Sequence, residues 1–174
     1  MKVYIRKNGF QINSRLTRYA VQWYAHMLMH HNLCKNLEIR VTHKDLGRIY
    51  AEVMPVYEED SYRTRIFSVV MNPLYSTRNY LLSLAHEMVH VKQYATGEVR
   101  DLERADLLLV KWKDVFVSEE VNNYYDLPWE IDAFGRELGL YVRLKDHIDK
   151  HKIPFDKPIM FDKRKVLDER RPIR

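Results

Sequence analysis

The chain is expected to adopt an α+β fold, and three observations support that expectation. Apolar residues recur at three- and four-residue intervals over 16–28. Short segments of alternating polarity crowd together over 36–71. Two further stretches, 76–96 and 128–148, return to the helical spacing. A period near 3.6 marks a helix with one buried face, and a period of two marks a strand. The expected order is therefore an N-terminal helix, a small twisted mixed or antiparallel sheet, a central helix and a late helix. The 174 residues suit a single domain, placed at 1–155, followed by a basic tail over 156–174.

Residues 2–5 read as a short strand. Asn13 or Ser14 can cap the first long helix by accepting hydrogen bonds from its free first-turn donors. Leu16, Tyr19, Ala20, Trp23, Tyr24, Met27 and Leu28 make its buried stripe, and it should fray near His30 to Asn32. Residues 36–42 read as a strand with Leu37, Ile39 and Val41 on one face. A second strand covers 49–57, where Pro55 has no N–H to donate and so favours an edge. An acidic loop follows at 58–61, and a third strand at 64–71.

Ser76 can cap the central helix, and Gly97 can end it by adopting positive φ. Leu81, Leu82, Leu84, Ala85, Met88, Val89 and Val91 cover most of its circumference, so it should lie at the centre of the molecule. Residues 98–104 are charged and read as a short helix or a covering loop. Residues 107–112 and 115–118 read as two strands around Lys113-Asp114. Pro128 suits the first turn of a helix, where its missing donor costs nothing.

Composition narrows the classes of function. Hydrophobic residues at 46% and charged residues at 30% fit a globular chain rather than a disordered one. Cys34 is the sole cysteine, which rules out an intrachain disulfide and a cysteine-based zinc finger and favours a reducing compartment. No run of 18 apolar residues occurs, so no membrane span is expected, and the first residues lack the pattern of a signal peptide. The formal charge of +5 reads as solvated lysines spread along the chain. No nucleic-acid recognition motif accompanies it, so nucleic acid is a weakly supported partner.

The chemistry is concentrated in His86-Glu87-Met88-Val89-His90. Positions i and i+4 share one helix face, so both imidazoles can point at one metal ion. Glu87 stands beside the first and can act as general base on a zinc-bound water. Hydrolytic zinc takes three protein ligands and keeps one position for water. The third ligand is expected to be Glu130, 40 residues after His90 in the first turn of the Pro128 helix. His147 and His151 are the alternatives, completing a three-histidine site if the chain doubles back. Glu137 lies two turns beyond Glu130 and suits a supporting role, whereas Asp132 should point elsewhere. Tyr124, Tyr125 and Tyr141 are candidate hydroxyl donors to an oxyanion.

Two segments carry a family resemblance: HEMVHVKQYATGE from His86 to Glu98, and PWEIDAFGRE from Pro128 to Glu137. They resemble the zincin metallopeptidases of the HExxH-plus-glutamate type, and among them the small metallopeptidases encoded by bacteriophages. The likeness runs from the first long helix to about Tyr141. It implies a zincin-like fold, Zn2+ held by His86, His90 and Glu130, Glu87 as the base, and a protein or peptide substrate. Ala133 and Phe134 match the small and aromatic positions found after the ligand in phage-repressor-cleaving members. Larger members place an aspartate where Phe134 stands, to hold a zinc-bound histidine. The resemblance therefore leaves that support to Asp101, Asp106 or Glu137. It also gives the strand at 64–71 the role of an edge that binds peptide by strand addition. The implied location is the cytoplasm of a phage-infected host, or the virion.

Two other readings stay open at this point. One is a zinc-stabilised, non-catalytic interaction or phage structural protein. The other is a nucleic-acid-associated protease that uses the basic tail around Lys163-Arg164-Lys165 and Arg170-Arg171.

Overall fold

A computed structural model describes residues 1–57, 64–104, 107–118, 123–157, 161 and 163–168. The loop expected at 58–61, Asp106 and Arg170-Arg171 lie outside these residues.

The fold is α+β. Strand β1 (Lys2–Arg6) leads to helix α1 (Ser14–Leu28) and a short helix α2 (His31–Lys35). Strands β2 (Glu38–His43), β3 (Ala51–Val56) and β4 (Ile66–Met71) follow. Helix α3 (Thr77–Thr96) comes next, then strands β5 (Val99–Arg104), β6 (Leu107–Trp112) and β7 (Val115–Ser118). A 3-10 turn at Tyr124–Asp126 introduces helix α4 (Pro128–His151), and helix α5 (Lys163–Asp168) is the last.

Local chemistry sets the helix ends. Asn13 Oδ1 accepts from the Leu16 N–H at 3.0 Å, and Ser76 Oγ accepts from the Asn79 N–H at 3.3 Å. Gly97 takes φ 77° and closes α3, the left-handed step that glycine makes without a Cβ penalty. The fraying expected at 30–32 is replaced by a second helix start, with His30 Nδ1 accepting from the Asn32 N–H.

The first sheet is mixed, with order β1-β2-β4-β3. Strands β1, β2 and β4 run parallel, and β3 pairs antiparallel to β4. The strand at 64–71 is therefore not the edge that the resemblance implies. As β4 it lies between β2 and β3, and its alternate residues Phe67, Val69 and Met71 are fully buried, as a central strand requires. The edge is β3, where Pro55 sits. Residues 98–104 also differ from expectation, forming strand β5 and pairing antiparallel with β6. Backbone pairing to the apolar β6 supplies the ladder, a cue that a polar segment does not carry in its own composition.

Helices α1 and α3 pack against one face of the first sheet and α4 packs on α3 and α1, with Trp23, Tyr24, Leu84, Met88 and Leu144 fully buried. Central placement of α3 follows from its apolar circumference. The segment expected as a tail is seated on α1 in its described part. Phe155 and Phe161 meet Tyr19 edge-on at 5.8 and 5.4 Å, Phe161 stacks on His26, and Val166 is fully buried. Among the described residues, no helix is long and apolar enough to cross a membrane.

Candidate metal centre

The two histidines of α3 and Glu130 of α4 converge. His86 Nε2 lies 3.2 Å from Glu130 Oε2, His90 Nε2 lies 3.3 Å from Glu130 Oε1, and the two Nε2 atoms are 3.0 Å apart. Their ligand atoms all fall within 4.8 Å of one another, and all three residues are buried. Helix geometry explains the histidine pair, one turn apart on the same face of α3. Pro128 starts α4 and so fixes Glu130 in its first turn, against the middle of α3.

Each imidazole is aimed from behind. His86 Nδ1 donates to Glu137 Oε2 at 3.0 Å, and His90 Nδ1 donates to Gln93 Oε1 at 2.8 Å. Both Nε2 atoms thereby face the common point, where each can accept a metal once it carries no proton, the arrangement that metal-ligating histidines need. Gln93 is fully buried, and its Nε2 donates to the Trp129 carbonyl at 3.0 Å and to Asp132 Oδ2 at 3.2 Å. Those two bonds fix the amide so that its oxygen meets His90. Arg136 in turn holds Asp132 at 2.7 Å. Asp132, expected to point away, thus supports the centre through Gln93.

Sequence reasoning misses Gln93. Its signal is there, because a residue three positions after a ligand histidine lies on the same helix face. Phe134 does not leave His86 unsupported. Its ring packs edge-on against the His86 imidazole at 4.6 Å, and Glu137, one turn further along α4, supplies the carboxylate.

Other candidates lie elsewhere. Asp101 accepts from Tyr94 and Tyr57 at 3.1 and 3.3 Å and touches neither histidine of the centre. His147 meets the Tyr19 hydroxyl at 2.9 Å, and His151 packs against His147, so neither reaches the centre. Tyr141 packs against the main core beneath Arg78. Tyr125 is exposed, with its ring against Phe134. Of the three tyrosines, only Tyr124 acts on the cluster, with its hydroxyl near enough to the Glu130 carboxylate to pull that group down.

Electrostatics follow from the burial of opposed groups. Burial alone would lower His86, but hydrogen bonds to Glu130 and Glu137 outweigh it and raise the imidazole to about 9. Burial would raise Glu130, yet the two histidines and Tyr124 pull it down to about 2. Protons therefore compensate the carboxylates where a cation would otherwise sit, so cation binding should release protons. Burial pushes Glu87 up to about 7, against the pull of His90 and His86. Burial and the neighbouring Glu130 keep the Tyr124 hydroxyl protonated, well above the ordinary phenol range. Once the protons that compensate the carboxylates leave, two imidazoles and a carboxylate, each held by a second residue, form a donor set that fits a divalent transition metal.

Two cavities meet at this centre. One, of about 460 Å3, is lined by His90, Gln93, Val99, Leu127 and Trp129. The other, of about 650 Å3, is lined by Tyr50, Leu82, His86, Tyr125 and Phe134. Both share Ala51, Glu52, Glu87 and Tyr124. The cleft thus runs along β3, with Glu87 and Tyr124 at its midpoint. The Asn72 N–H donates to the Tyr50 carbonyl at 2.9 Å, which sets the alternation of the β3–β4 ladder. Tyr50, Glu52, Met54 and Val56 bond inward to β4, so the backbone groups of Ala51, Val53 and Pro55 face outward. No protein-family model, curated protein or solved structure matches the chain.

Proposed function

We propose that the protein is a zinc metallopeptidase of the HExxH-plus-glutamate type, acting on an extended protein or peptide segment. The reading rests on one observation above the others. His86, His90 and Glu130 come together from two helices, with Glu87 facing a cleft that runs beside an outward-facing strand edge. His86, His90 and Glu130 would hold the zinc. When bound, zinc supplies a Lewis acid that acidifies water and polarises a carbonyl.

The chain's own residues account for the rest. Glu87 accepts a proton at its carboxylate as water adds to the scissile carbonyl carbon. It returns that proton to the amide nitrogen as the C–N bond breaks, so the products are a carboxylate and an amine. The raised affinity of Glu87 for a proton suits both transfers; a nearby dication would draw it down again. Tyr124 is the oxyanion donor supported by position, since its hydroxyl is protonated and lies at the junction of the two cavities. Outward N–H and C=O groups of Ala51 and Val53 can pair with an extended substrate and hold its scissile bond in place. Glu137 and Gln93 fix the two imidazoles through their Nδ1 atoms.

Zinc content and cleavage test the two halves separately. Purified protein should carry one zinc per chain, lost in His86→Ala. Glu87→Gln should keep the zinc and lose cleavage of a peptide library. Substoichiometric metal that His86→Ala leaves unchanged would reject the centre. Fully loaded wild type that cleaves no member of the library would reject the peptidase and leave a structural zinc protein.

A further inference from the structure

The basic excess is not spread along the chain. The first 48 residues carry nine Lys or Arg against two acidic residues, whereas the remaining 126 carry twenty against twenty-two. The surplus therefore belongs to β1, α1, α2, β2 and the connections up to the start of β3.

Part of that surplus lies on an open sheet face. Core side chains of the first sheet point toward the helices, whereas Tyr4, Arg40 and Met54 on the other face are exposed. Parallel strands are ordinarily covered on both sides. Here that face carries a cross-strand row of Tyr4, Arg40, Ser68 and Met54, with Arg6 two residues along from Tyr4. Tyr4 is 52% exposed, and the Arg40 side chain 49%. A shallow cavity of about 670 Å3 lies at this corner, lined by Tyr4, Arg6, Arg18, Arg40, Glu38 and Thr42. Glu38 Oε1 accepts from both Nε and Nη2 of Arg40, at 2.8 and 2.7 Å, which restrains that guanidinium on the residue directly across the ladder from Tyr4.

We propose that this face, with Tyr4 beside Arg40 and Arg6, binds single-stranded nucleic acid. An exposed ring and a restrained guanidinium plane give unpaired bases two surfaces to stack on, while Arg6 and Arg18 meet the backbone phosphates. A flat sheet face has nothing to enter a duplex groove, which argues against double-stranded DNA. An acidic protein would use the arginines but would leave the exposed ring without a matching partner. Three strand spacings, about 14 Å, separate β1 from the β3 edge. A bound strand and a peptide in the cleft can therefore be held at once, and the inference does not depend on peptidase activity.

The test is fluorescence anisotropy of the full-length, zinc-loaded protein with a labelled single-stranded oligonucleotide of about 12 nucleotides. Saturable binding should weaken as salt rises. Arg6→Ala with Arg40→Ala should lower affinity more than tenfold and flatten the slope of log affinity against log salt by ~0.7, for the one phosphate that Arg6 no longer neutralises. Tyr4→Ala should cost about tenfold, with Tyr4→Phe restoring it. Lys145→Ala with Lys150→Ala, on exposed positions of α4, should change little. No saturable binding at low salt overturns the proposal. So does an equal loss in the α4 double variant, or equal affinity for a duplex or for polyglutamate. If the arginine variant melts early, the Tyr4 pair decides, because that ring is exposed and its removal leaves the core intact. Peptide cleavage should be unaffected by Tyr4→Ala whichever way the binding result falls.

Discussion

The two edges of the first sheet are built in opposite ways. On β1, the Lys2 N–H donates to the Leu37 carbonyl, so Val3 and Ile5 turn their backbone groups outward. The Val3 carbonyl is taken by the Arg18 guanidinium, reaching across from α1. On β3, the outward groups of Ala51 and Val53 border the cleft that holds Glu87 and Tyr124. An exposed edge invites pairing with any extended chain. One edge has a carbonyl taken by a side chain and the other faces the candidate metal centre, where the proposed function gives it a use.

Glu87→Gln should have the largest effect, because it removes the proposed general base without altering either edge. Cleavage should fall about a hundred- to ten-thousandfold with zinc retained, read by initial rates and metal analysis on the same sample. A variant that still cleaves would disconnect the open edge from any base on α3. Next is Glu137→Gln, which leaves His86 a weaker acceptor behind it. Zinc affinity should drop about 10- to 100-fold in a chelator competition; no change would mean that Phe134 alone orients the ring.

Val53→Pro addresses the edge itself. Its N–H faces outward, as that of Pro55 would, so the β3–β4 ladder should survive while substrate pairing loses a donor. About a tenfold drop in kcat/KM is expected relative to Val53→Ala, from the loss of one substrate hydrogen bond. Equal rates for the two variants would show that peptide does not pair with β3. Arg18→Ala uncovers the other edge and should cost about 1 kcal/mol of unfolding free energy, with cleavage unchanged.

The smallest effect concerns pH. His43 is fully buried at the end of β2, between the Arg6 carbonyl and the Tyr80 hydroxyl. Burial lowers its pKa below the ordinary 6.5, outweighing the Arg6 carbonyl, which acts the other way. The unfolded chain then binds the extra proton first, so this contribution is complete above about pH 6.5 and declines as pH falls below it. In metal-free protein, the fall in urea midpoint between pH 7.5 and 5.5 should be shallower in His43→Gln than in wild type. A parallel fall would remove His43 from the account.

Much of this arrangement is legible in the chain because local chemistry determines it. The caps at Asn13 and Ser76, the stop at Gly97, and the helix start at Pro128 each depend on one or two residues. His86 and His90 can be paired from spacing alone, and Glu130 from its place after Pro128. Lateral order in the sheet is less accessible, because it depends on which strands meet across the fold. Pro55 does mark β3 as an edge, but the family resemblance gives the substrate-binding role to β4, which is central. Strand β5 is hidden for a related reason: its ladder is supplied by β6. Gln93 and Asp132 escape because their value lies in a bond to a neighbour's side chain, and a sequence gives no orientation for an amide.

Pro55 has a consequence for the molecule's behaviour in a crowded solution. Two copies brought together along β3 could exchange hydrogen bonds at Ala51 and Val53, but a ring nitrogen at the next outward position offers no further donor. Zipping would stall after two residues, too short a pairing to persist. The edge can therefore greet a short guest while refusing to serve as a template for its own polymerisation.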